Sequence, residues 1–129
     1  MEKVHILPTN TIPEYILDPA GTIKIKGRAI DESRRNAPEQ INDWIDTYIL
    51  DPAETTEVTI ALEFLNSFNT IILTNTLKKI TQVIQTGKKL VIQWYYEEDD
   101  IDIFERGEYI SSLIGVPIEF IATDRISDC

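Results

Sequence analysis

The alternation of strand and helix signals after residue 57 constrains this chain more than any other feature. Glu57 to Phe64 is rich in β-branched residues and fits a strand. Leu65-Asn66-Ser67 then turns the chain into a long helical stretch carrying Ile71, Leu73, Leu77, Ile80, Val83 and Ile84, which Gly87 stops. Leu90 to Tyr95 is an almost wholly apolar run of the kind found in a strand covered on at least one face, Ile103 to Leu113 returns to helical spacing, and Val116 to Ala122 reads as a last strand. Strands that alternate with helices are joined by right-handed crossovers, which predicts a partly parallel sheet with helices packed on it.

The first third adds antiparallel edges. Tyr15-Ile16-Leu17, the turn residues Asp18-Pro19-Ala20-Gly21 and the alternating Thr22-Ile23-Lys24-Ile25-Lys26-Gly27 form a hairpin signal, with Ile23 and Ile25 facing the core and Lys24 and Lys26 facing water. Asn36 and Glu39 have capping-box spacing, and Pro38 is tolerated in a first helical turn. The apolar positions Ile41, Trp44, Ile45, Tyr48 and Ile49 follow as a single helical stripe that Asp51-Pro52 ends. The expected fold is α/β, a mixed central sheet of five or six strands with about three helices. With 129 residues it is expected to be a single domain spanning 1–129.

Charge and side-chain chemistry then remove function classes. The 22 Asp and Glu outnumber 12 Lys and Arg, a net charge of -10, and the basic residues are scattered in pairs, so the footprint needed for nucleic acid or an anionic membrane surface is missing. No stretch approaches a membrane span and the first residues have no apolar signal core, so a cytoplasmic location is expected. The one cysteine, Cys129, has no partner for an intrachain disulfide. The one histidine, His5, lies in a strand-like segment where a structural role outweighs a general base. The five glycines form no phosphate-cradling loop. No catalytic residues and no cofactor are expected.

Two local features stand out. Glu97, Glu98, Asp99, Asp100 and Asp102 follow a strand at its carboxyl end, where open sheets bind ligands, and clustered oxygens suit a hard cation. Acidic residues are also favourable simply ahead of a helix, where they meet the positive end of its dipole, and this reading carries more weight. A small metal-binding or enzymatic domain using 97–102 stays open as the alternative. The second feature is Ser67, at the junction of the central strand with the long helix. It fits an N-cap, and it also fits a phosphoacceptor, because a phosphate there would meet free helix N–H groups and add about -1.5 to -2 charge at an exposed junction. Physical chemistry alone puts capping first.

Several segments resemble the SiaC family of bacterial regulatory phosphoproteins, whose fold is similar to STAS-domain anti-anti-sigma factors. They are Thr11-Ile12-Pro13, Gly27 to Ser33 (against the family's Gly-Arg-Ser-Ile-Pro-Glu-Asn), Phe64-Leu65-Asn66-Ser67, and Gln93 to Asp100 followed by Glu105-Arg106-Gly107-Glu108. The resemblance runs from about Leu7 to Ala122. It implies a non-enzymatic partner switch in which a dedicated protein kinase phosphorylates the hydroxyl residue after the Asn and a PP2C-type phosphatase reverses it. The unphosphorylated form would bind an output protein, a diguanylate cyclase in the best-known relative, raising cyclic di-GMP and favouring biofilm. The implied acceptor is Ser67, with Thr70 as the fallback. Asn66, Phe68 as an exposed apolar contact, Arg28 and Glu32 are the implied partner-binding residues. Phe68-Asn69-Thr70 replaces the family's small hydroxyl residues, Asp31 its proline and Ala29 its serine.

Overall fold

A computed structural model describes residues 1–33 and 37–129. The elements are β1 (Val4–Ile6), β2 (Glu14–Asp18), β3 (Thr22–Ala29), α1 (Ala37–Tyr48), β4 (Thr55–Leu65), α2 (Ser67–Ile80), β5 (Lys89–Glu97), α3 (Ile101–Ile114) and β6 (Glu119–Thr123). The strands form one six-stranded sheet in the order β1-β2-β3-β4-β5-β6. The first two pairings are antiparallel and the next three parallel, as the hairpin and crossover signals predict. No helix among the described residues is long and apolar enough to cross a membrane.

Because strand order follows chain order, successive right-handed crossovers lay all three helices on the same side. Across that side run two register rows, Tyr15-Ile25-Ile60-Trp94-Phe120 and Leu17-Ile23-Val58-Ile92. They meet Ile41, Trp44, Ile45 and Tyr48 of α1, Leu73, Leu77 and Ile80 of α2, and Ile103 and Ile110 of α3 in one buried cluster. On the opposite side Lys24 and Lys26 do not simply face water. Their ammonium groups donate to main-chain carbonyls of the turn Ile126–Asp128 and its neighbour Cys129.

Two boundaries differ from the sequence reading. The stretch ending at Gly87 is helical throughout, but it tightens to a 3-10 helix over Thr81–Thr86, where β-branched Thr81, Val83, Ile84 and Thr86 crowd an α-helix and two threonine hydroxyls bond to preceding carbonyls. Gly87 closes it at φ 82. The last strand begins at Glu119 rather than Val116, because Pro117 has no N–H for the ladder and the Val116 carbonyl is taken by the Ser111 hydroxyl. Asn36 lies outside the described residues. Gly21 is obligatory in the hairpin: it sits at φ 116, and a Cβ there would fall 2.3 Å from the Thr55 carbonyl oxygen.

Candidate functional site

The middle strand β4 delivers the site. Its pairing with β3 slips between Gly27 and Arg28, so that Arg28 opposes Phe64 and Ala29 opposes Leu65, with Glu63 as the extra residue of a bulge. The strands thus end with the Arg28 guanidinium carbon 4.6 Å from the Phe64 ring centroid, a cation–π contact. Arg28 Nε is buried and has no hydrogen-bond partner among the described residues.

One residue on, Asn66 starts α2. It, and not Ser67, is the N-cap: its backbone is extended and its Oδ1 accepts from Asn69 N at 2.9 Å. The Asn carbonyl sits one residue nearer the strand, so it reaches the free N–H first, and Ser67 becomes the first helical residue with its side chain exposed. Asn66 also ties down the loop after β3. Its N–H and Nδ2 donate to the carbonyls of Ala29 and Ile30, and Asn69 Nδ2 donates to that of Asp31. The Thr11 carbonyl accepts from Ile30 N and Asp31 N on the far side of the same loop. Glu32 is exposed beyond it.

Thr70 is one turn further along. It is 6% exposed, and its hydroxyl donates to the Asn66 carbonyl at 2.8 Å. The same oxygen accepts from Arg106 Nη1 of α3 at 3.1 Å, while Arg106 Nε donates to Asp102 Oδ2. Between the two helices lies an open groove lined by Ser67, Thr70, Ile71, Asp102, Arg106 and Tyr109.

Phe68 is half-buried, not the exposed contact expected of it, and it is not among the residues that line the groove. The exposed apolar groups near Ser67 are Ile71 (63% exposed), Tyr109 (59%) and Phe64 (46%). Sequence reasoning missed Arg106, Ile71 and Tyr109 as site residues. Ile71 belongs to the apolar helical stretch of the sequence, yet it falls off the Leu73-Leu77-Ile80 stripe by about half a turn. Arg106 was visible as the i+4 partner of Asp102.

The acidic run disperses. Asp100 caps α3 by accepting from Ile103 N, the helix-start role expected for the run. Glu97 accepts from Ile126 N, and Asp102 turns to Arg106. Among the described residues no three Asp, Glu, His or Cys side chains are grouped to hold a metal ion. His5 pairs with Glu14 at 2.8 Å on the outer hairpin.

A mixed sheet with helices on one side, whose central helix is capped by Asn66 and begins with an exposed hydroxyl, defines a small α/β domain. The sequence profile of the SiaC family regulatory phosphoproteins matches residues 6–123, and the chain belongs to that family. An uncharacterized protein of Pseudomonas aeruginosa (strain UCBPP-PA14) is 22% identical over 126 residues, 97% of this chain and 100% of that one. Apo-SiaC from Pseudomonas aeruginosa superposes with a TM-score of 0.79 at 22% identity, covering 95% of this chain and 99% of its own. A chain in the crystal structure of the diguanylate cyclase SiaD in complex with its activator SiaC, from the same organism, gives a TM-score of 0.83 at 21% identity, over 93% of this chain and 99% of that one.

Proposed function

We propose that the chain is a non-enzymatic, cytoplasmic partner switch whose state is written on Ser67. A protein kinase transfers the terminal phosphoryl group of a nucleoside triphosphate to the Ser67 oxygen, whose proton leaves to a base of the kinase, and the nucleoside diphosphate departs. A PP2C-type phosphatase hydrolyses the ester to serine and inorganic phosphate. The unphosphorylated form docks an output protein, a diguanylate cyclase, and so governs cyclic di-GMP and biofilm formation. The observation that carries this reading is the exposed Ser67 hydroxyl at the first position of α2, where the segments shared with the family converge. The activator–cyclase complex of the structural relative supports the choice of partner.

Ser67 is a better acceptor than Thr70, whose hydroxyl is buried and already bonded to the Asn66 carbonyl and to Arg106. Asn66 and the loop from Arg28 to Glu32 set the geometry of the docking surface, and Phe64, Ile71 and Tyr109 supply its apolar contacts alongside half-buried Phe68. Phosphate at its centre must be desolvated on docking, which costs several kcal/mol where no partner cation meets it, and each 1.4 kcal/mol is about tenfold in affinity.

Calorimetric titration of the diguanylate cyclase encoded in the same genome tests this. Ser67→Ala is expected to bind like wild type, and Ser67→Asp at least about tenfold more weakly. Two variants that both bind like wild type would remove Ser67 from the switch.

A further inference from the structure

The groove between α2 and α3 holds a guanidinium placed for more than structural bonding. Arg106 is only 28% exposed at its side chain, whereas its ionic partner Asp102 is 71% exposed. An exposed i,i+4 pair of this kind contributes little and is readily exchanged. Among the described residues two of the five guanidinium N–H donors are used, one on Asp102 and one on Thr70, so the group can take further acceptors without breaking both bonds.

Ser67, Thr70 and Ile71 share one side of α2, at spacings of three and four residues, and all three line this groove with Arg106. The guanidinium bonded to Thr70 is therefore one helical turn from the Ser67 hydroxyl, within the swing of an arginine side chain. A phosphate on Ser67 would otherwise stand in a groove also lined by the carboxylates of Asp102 and Glu105. It carries up to twice the charge of a carboxylate and three acceptor oxygens that suit a planar fork, so it outcompetes Asp102 for Arg106.

We propose that Arg106 receives the phosphate carried by Ser67, leaving Asp102 for it and stapling the start of α2 to α3 in the phosphorylated form. This rests on Ser67 being the acceptor. It gives the switch a second component: phosphorylation adds an anion and, in the same step, withdraws from any docking partner the one cation that lines the groove among the described residues.

The test uses the full chain with phosphoserine installed at position 67 during synthesis, so that no kinase is needed. The second ionisation of the phosphate, ordinarily near pH 6, is followed by phosphorus NMR in wild type and in Arg106→Gln. It is expected to lie lower by about one pH unit in wild type, and equal midpoints overturn the proposal. If Arg106→Gln does not fold, proton–nitrogen spectra of the wild-type arginine side chains decide. The Arg106 Nε–H resonance is expected to shift and exchange more slowly on phosphorylation, and an unchanged resonance overturns the proposal. Peptide mass mapping of protein from its native host tests Ser67 as the acceptor separately, since the synthetic phosphate reports on Arg106 whether or not a cell ever makes it.

Discussion

At the scale of single residues, the division of labour between Asn66 and Ser67 makes a reversible modification compatible with a stable fold. A hydroxyl that caps a helix is held to a backbone N–H by a bond worth about 1 kcal/mol, and is less free to meet a kinase. By placing the cap on Asn66, the chain keeps α2 anchored while Ser67 stays exposed. The sequence marked this junction but gave the cap to Ser67, and only the extended backbone at the strand end shows that Asn66 takes it. Arg106 was harder to read, since its link to Thr70 crosses 36 residues and no local spacing announces it. Tyr15 provides a residue-scale prediction of another kind. Burial among the core rows raises its phenol pKa from 10.0 to about 12. Below pH 10 both the folded and unfolded chains hold this proton. Between about pH 10 and 12 only the unfolded chain loses it, so folding stability should fall by up to about 1.4 kcal/mol per pH unit in that window. Denaturant titrations across it should show a shallower loss for Tyr15→Phe, and identical slopes would mean that the folded phenol ionises normally.

At the scale of elements, α3 can carry Arg106 to the groove only because it lies unusually close to the sheet. Gly107 is buried at that approach, and a Cβ there would come within 2.7 Å of the Trp94 ring and 2.7 Å of the Phe120 ring. Trp94 is itself fully buried in the middle of the register row, so its ring has no room to retreat. Gly107→Ala is therefore expected to cost about 1–3 kcal/mol in chemical denaturation despite the better helix propensity of alanine. Unchanged or increased stability would show that α3 shifts freely. Intrinsic propensity alone disfavours a glycine inside a helix. The reason for Gly107 lies in the residue across the interface, which periodicity does not report. The strand and helix types, by contrast, were legible because each presents one continuous apolar side. The boundaries that moved, at Thr81 and at Glu119, are those where local side-chain or proline chemistry competes with a regular ladder.

At the scale of the whole molecule, residues separated by up to about three-quarters of the chain converge on one end of the sheet. The Thr11 carbonyl holds the loop after β3, that loop is bonded to Asn66 and Asn69, and Thr70 meets Arg106. The remainder of the protein, including the hairpin edge and the turn Ile126–Asp128 against Lys24 and Lys26, is joined to this end through the close-packed core. A core of this kind resists continuous deformation, so a charge added at Ser67 should be accommodated by side chains around the groove and not by rearranging the sheet. Amide proton–nitrogen spectra of the phosphorylated and unphosphorylated chain are thus expected to differ over residues 28–33, 64–71 and 102–109, and to coincide for β1, β2 and the turn Ile126–Asp128. Changes of similar size throughout the chain would indicate a global conformational switch instead. On that outcome the proposed docking surface would be remade by phosphorylation, whereas the switch proposed above, with the loop after β3 already tied to Asn66, requires one that is preformed and locally blocked.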